Sequence, residues 1–235
     1  MASFVLVHGA CHTGWCWNMV LPGLIARGHR VYAPDLPGRS GDPRPMALLT
    51  LDDYAQHILE QADEPAILVG HSAGGYAISA AAEMDPAKVS RLIYLCAFLP
   101  QPGLSLTEVA TRLPEPPLKG IARRQGDGYA LIEEADDAAL YDGLPDALRR
   151  EARAHLCIEP SAPHAERIRL GANWQDCPRS YIRCTQDLAI SPSAQAEMAR
   201  ACDPKDRYDM PAGHSPFFSH PEDLAALLHL IAEGK

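Results

Sequence analysis

Short, unbroken aliphatic runs alternate with amphipathic stretches along the first hundred residues. Phe4 to Val7, His29 to Ala33, Ala66 to Val69 and Arg91 to Ala97 each predict a strand. Such runs do not alternate apolar with polar positions. That is the pattern of strands buried on both faces, as in a parallel sheet covered by helices. Between them the spacing predicts a helix from about Trp17 to Arg27, stopped by Gly28. A second runs from an N-cap at Thr50, through the acidic first turn of Asp52 and Asp53, to about Gln61, and a third from Ser72 to about Met84.

From Leu99 to about Asn173 the pattern changes. Prolines crowd Pro114-Glu-Pro-Pro117, and helical fragments at Ala135 to Tyr141 and Pro145 to Leu156 follow with no strand between them. The alternation then resumes with a strand at Tyr181 to Cys184, a helix at Ser193 to Ala201, a strand at Arg207 to Met210 and a closing helix at Pro221 to Ala232. The expectation is an α/β fold: a mostly parallel, doubly wound sheet with an inserted helical cap. Residues 1–98 and 174–235 would form the core domain and 99–173 the cap, since the C-terminal part alone has too few strands to bury a core of its own.

Composition narrows the function. The chain has 235 residues, 47% hydrophobic and 22% charged, the make-up of a soluble globular domain, with a formal net charge of −9. An acidic surface repels nucleic acid and anionic membrane, so a neutral small molecule is the expected partner. The seven cysteines form no C-x-x-C pair, which points to reduced thiols and a cytoplasmic protein. The N-terminal residues carry no basic signal-peptide region, and no apolar stretch approaches the ~20 residues of a membrane span.

The candidate chemistry starts at Gly70-His71-Ser72-Ala73-Gly74, a G-x-S-x-G sequence with a strand directly before it and a helix directly after. The small residues allow the chain to reverse tightly, leaving Ser72 exposed at a helix N-terminus as a nucleophile. A serine hydroxyl needs an imidazole to take its proton and a carboxylate to orient that imidazole. His214, in the loop just past the last predicted strand, would reach the same sheet edge, whereas His155 and His164 lie in the cap and His220 and His229 on the last helix. Asp187 directly follows a strand end, while Asp176 precedes its strand and should fall at the opposite edge. The backbone N–H groups of Ala73 and of Ala10, beside Gly9, would face the developing oxyanion. His8 and His12 have i, i+4 spacing but lie in a loop with no third ligand, so no metal and no cofactor is expected. Cys11 and Cys16 read as wall or core thiols.

The combination His8-Gly-Ala-Cys-His-Thr-Gly-Trp15, Gly70-His-Ser-Ala-Gly-Gly75, Cys184-Thr-Gln-Asp-Leu-Ala-Ile190 and Gly213-His214 resembles the plant methylesterase and hydroxynitrile lyase group of the α/β-hydrolase superfamily. The resemblance spans almost the whole chain, tight at these motifs and loose in the cap. It implies an esterase core with Ser72, His214 and Asp187 as triad, Ala10 and Ala73 as oxyanion donors, and a pocket roofed by the cap. Gly9, His12 and Ser215 would be the substrate-binding positions. The lyase branch resembles this chain less, since it carries a Thr at the place of Gly9 and a Lys at the place of Ser215. The chain also lacks a cap tryptophan near the pocket, and its arginine-rich, lysine-poor composition resembles bacterial members. The expectation is a serine carboxylesterase acting on a small neutral ester, with a homodimer entertained as its assembly. A cyanohydrin lyase and a slow small-molecule receptor of the same fold are the alternatives.

Overall fold

The computed structural model describes residues 1–39, 41–113, 122–131 and 139–234. Six strands form one sheet in which every neighbouring pair is parallel: β1 (Ser3–Val7), β2 (Arg30–Tyr32), β3 (Ala66–His71), β4 (Val89–Leu95), β8 (Arg179–Cys184) and β9 (Arg207–Met210). The spatial order is β2-β1-β3-β4-β8-β9, so the chain winds outward from β1 to one edge, returns to β3, and proceeds to the other. Strands β1 and β3 are buried along their whole length, as their unbroken aliphatic character requires. The two faces are covered by separate apolar clusters, one around Tyr54, Ile78 and Tyr94, the other around Trp17, Phe217 and Leu228.

Helices α1 (Leu21–Ala26), α2 (Leu51–Leu59) and α3 (Gly74–Met84) link the first four strands. The helix expected from Trp17 instead begins at Leu21, after a 3-10 turn at Gly14–Trp17. Pro22 explains the late start: without an N–H it fits only the first turn of a helix. Thr50 caps α2 through a reciprocal pair of bonds with Asp53.

Between β4 and β8 lie α4 (Leu106–Arg112), α5 (Asp146–Ala154), α6 (Ser161–Ala165) and α7 (Ala172–Asp176). This segment is not wholly helical as the pattern implied. β5 (Ala122–Gln125), β6 (Gly128–Leu131) and β7 (Glu159–Pro160) form a small antiparallel sheet in the order β5-β6-β7. Every residue of β5 is exposed, so no buried face marks it in the sequence. Most of the helix expected at Ala135 to Tyr141 lies outside the described residues. The core closes with α8 (Pro192–Ala199), α9 (Pro216–Ser219) and α10 (Pro221–Ala232).

Candidate active site

Ser72 stands where β3 turns into α3, with φ at 51°. That left-handed conformation is disfavoured for a residue with a β-carbon and costs on the order of 1 kcal/mol or more. The turn is clamped to the end of β4: Ser72 N–H donates to Leu95 O at 3.3 Å, and Phe98 N–H donates to Ser72 O at 3.0 Å. It is also pressed against β1. A β-carbon at Gly74 would lie 2.8 Å from the His8 carbonyl oxygen and 2.9 Å from that of Val7, so only glycine permits this approach.

His214 follows β9, and its Nδ1 lies 2.8 Å from Asp187 Oδ2. Asp187, in the turn after β8, is buried but fully satisfied. Its Oδ1 accepts the N–H groups of Ala189 and Ile190 at 2.7 and 2.9 Å, and its Oδ2 also accepts Gln195 Nε2 at 2.8 Å. A carboxylate so held accepts a hydrogen bond from the ring's Nδ1–H, which leaves Nε2 as the nitrogen free to take a proton from Ser72. Ser72 and His214 line one cavity of about 160 Å³. Among the described residues no hydrogen bond joins the hydroxyl to the ring; such bonds often form only once substrate is bound.

The same cavity is bordered by Ala10 and Ala73. Neither N–H finds an acceptor among the described residues. Two unfilled donors beside a nucleophile are what a tetrahedral intermediate's oxyanion needs. Phe98, Leu106, Ala110, Leu131 and Leu140 make much of the remaining wall apolar, and no Asp, Glu, Lys or Arg lines it among the described residues.

The alpha/beta hydrolase family model matches residues 4–227. The chain belongs to the alpha/beta hydrolase family. It is 47% identical over 252 residues to salicylic acid-binding protein 2 of Nicotiana tabacum, covering 97% of this chain and 96% of that protein. It is 31% identical over 259 residues to methylesterase 7 of Arabidopsis thaliana, covering 98% of this chain and 96% of that one. The crystal structure of a pyrethroid hydrolase from Sphingobium faniae JZ-2 superposes with a TM-score of 0.83 at 30% identity, covering 99% of this chain and 97% of that chain.

In this alpha/beta hydrolase the residues expected to bind substrate separate. His12 lies on the cavity wall, while Gly9 and Ser215 do not line it. Gly9 packs beneath the turn, where a β-carbon would lie 2.8 Å from His71 Nδ1 and 2.9 Å from Ser72 Cβ. Ser215 is buried, and its hydroxyl has no partner among the described residues. His12 donates through Nδ1 to Ala10 O at 2.8 Å and accepts from Tyr141 OH at Nε2 at 2.9 Å. Burial pushes its pKa down to about 4, so the ring is neutral. His8 spends both nitrogens locally, donating to Gly9 O and accepting Leu36 N–H, which leaves none for a metal. His71, Cys96 and His214 bring potential ligand atoms within 4.8 Å of one another, but His71 Nε2 and Cys96 Sγ already donate to the His214 carbonyl oxygen. Burial raises the thiols of Cys11 and Cys16, keeping them protonated and poor nucleophiles.

Two supporting residues were not anticipated. His71 anchors the His214 backbone at 2.9 Å, and its place inside the G-x-S-x-G motif was the available signal. Gln195 on α8 accepts Cys184 N–H at 2.9 Å while its amide holds Asp187, and nothing in the sequence marks it.

Proposed function

We propose that this hydrolase cleaves small, neutral carboxylic esters, methyl or aryl among them, through an acyl-enzyme formed on Ser72. The observation that carries the reading is that one largely apolar cavity is shared by a serine on a strained strand-to-helix turn and an imidazole whose other nitrogen is held by a buried carboxylate. Ser72 Oγ attacks the ester carbonyl as its proton passes to His214 Nε2, and Asp187 stabilises the imidazolium. The oxyanion accepts hydrogen bonds from Ala10 and Ala73 N–H, each worth roughly 3–4 kcal/mol in the transition state. Collapse expels the alcohol, which takes the proton from His214. Water, giving up its proton to His214, then attacks the acyl-serine; as the acyl–oxygen bond breaks, His214 returns that proton to Ser72 Oγ and the free acid leaves.

A neutral substrate follows from the absence of charged side chains among the described residues lining the cavity. The names of the relatives, a methylesterase and a pyrethroid hydrolase, support ester substrates. The described residues of the segment 99–173 contribute Leu106, Tyr129, Leu131 and Leu140 to the cavity, which supports reading that segment as its lid. No helix of the described residues is long and apolar enough to cross a membrane. The seven cysteines are all free thiols, which supports a reducing, cytoplasmic setting.

The test is turnover of p-nitrophenyl acetate. Ser72→Ala should lower kcat/KM by at least ~10³-fold with the fold intact by circular dichroism. Full activity in that variant would sink the mechanism.

A further inference from the structure

Arg39, in the turn after β2, and Glu159, at the start of β7, form an ion pair at 2.7 Å with side chains only 2% and 1% exposed. The acyl-transfer chemistry has no use for these charges. Tyr54 OH donates to Glu159 Oε1 at 3.4 Å, and two further hydrogen bonds of the pair go to the two residues that follow the Ala10 oxyanion donor. Cys11 N–H donates to Glu159 Oε2 at 2.8 Å, and Arg39 Nε donates to His12 O at 3.1 Å. Cys157, two residues before Glu159, donates its N–H to Cys11 O at 2.9 Å. Cys11 is thereby held at φ 60°, a conformation that a non-glycine residue keeps only when its surroundings impose it.

The contacts continue into the cavity wall. His164 Nε2 lies 3.4 Å from Glu159 Oε1, and His164 Nδ1 accepts from Tyr129 OH at 2.7 Å. Tyr129 faces the same cavity as Ser72. Stability alone is a weak reason for this arrangement: stripping two charges of water is expensive, and apolar residues of similar volume often replace a buried pair without loss of stability. What an apolar pair cannot do is fix the direction of the Cys11 N–H and the His12 carbonyl.

We propose that Glu159 and Arg39 are positioning residues that hold the Ala10 N–H in its oxyanion-binding direction and couple that direction to the lid strand carrying Tyr129. The inference rests on the acyl-transfer reading above. Glu159→Gln should lower kcat for p-nitrophenyl acetate about 10-fold or more with KM within about twofold. Affinity for an alkyl trifluoromethyl ketone, whose serine adduct places an oxyanion at the same donors, should fall by the same factor. The apolar double variant Arg39→Leu/Glu159→Leu should keep its Tm within about 5 °C and show the same kinetic loss. Unchanged kcat in either folded variant, a loss confined to KM, or failure of both to fold would overturn the positioning role and leave the pair as structural. Ser72→Ala separates the two ideas. If it is inactive while Glu159→Gln is fully active, only the positioning role falls; if it retains activity, the acyl-enzyme reading falls.

Discussion

A β-carbon added at Gly9 would meet His71 Nδ1 at 2.8 Å, Ser72 Cβ at 2.9 Å and His71 Cε1 at 3.3 Å. None of these atoms is a free side-chain tip. The His71 ring is fixed through Nε2 to the His214 carbonyl, and Ser72 is fixed by the turn itself. Gly9→Ala should therefore displace either the nucleophile or the anchor of its base, lowering kcat/KM for p-nitrophenyl acetate roughly 10- to 100-fold. Activity within twofold of the parent would show that the turn can yield there. The threonine that the lyase branch carries at this place has still less room beside His71. Position 9 thus shapes the site from beneath it, a role that its neighbourhood to His8 in the sequence did not distinguish from contact with substrate. The positions of Ser72, Asp187 and His214 were legible because each comes within a few residues after the end of a strand, so the pattern puts them at one sheet edge. Gln195 and Glu159 were not, since their roles depend on which distant backbone groups they meet.

The reciprocal bonds at the start of α2 offer a test that leaves the chemistry untouched. Thr50 Oγ1 accepts Asp53 N–H at 3.1 Å, and Asp53 Oδ2 accepts Thr50 N–H at 2.9 Å. Thr50→Ala should cost about 1 kcal/mol, a fall in Tm of roughly 2–4 °C for a chain of this size, with kcat unchanged. An unaltered urea midpoint would mean the cap contributes nothing. This helix and the sheet strands were readable because burial imposes a strong pattern: an unbroken apolar run where both faces are covered, as on β1 and β3, and a helical period where one face is, as on α2. The hairpin of β5 and β6 was missed for the opposite reason. β5 is Ala-Arg-Arg-Gln, fully exposed, and pairs through its backbone without burying a face. Its one local sign was Gly126-Asp127 between the two strands, with Gly126 at φ 58°, a two-residue hairpin turn that a search for alternation overlooks.

The fold also makes the molecule acid-sensitive, because it buries His8, His12, His71 and His164 as neutral rings. Burial is the largest cause lowering the pKa of each, and the Arg39 guanidinium adds to it at His8, His12 and His164. In the unfolded chain these residues take up protons near pH 6.5, whereas the folded state does not until lower pH. Folding stability is therefore undiminished above pH ~6.5 and falls as the pH drops below it. For His12, held down to about 4, the loss at pH 5 is about 2 kcal/mol, a large part of the 5–15 kcal/mol that holds a typical domain together, and the other three act in the same direction. Carboxylates affect a different window. Glu108, held down to about 2 by the Arg167 guanidinium, weakens the fold only as the pH falls below the ordinary carboxylate range. Urea midpoints measured from pH 8 to 5 should be level down to about 6.5 and then decline steeply. His12→Gln should reduce that slope by about 1.4 kcal/mol per pH unit, the share of one proton. A midpoint that holds constant to pH 5 would mean that these rings are charged in the folded protein, in conflict with the donors at Leu36 and Tyr141 that their free nitrogens accept.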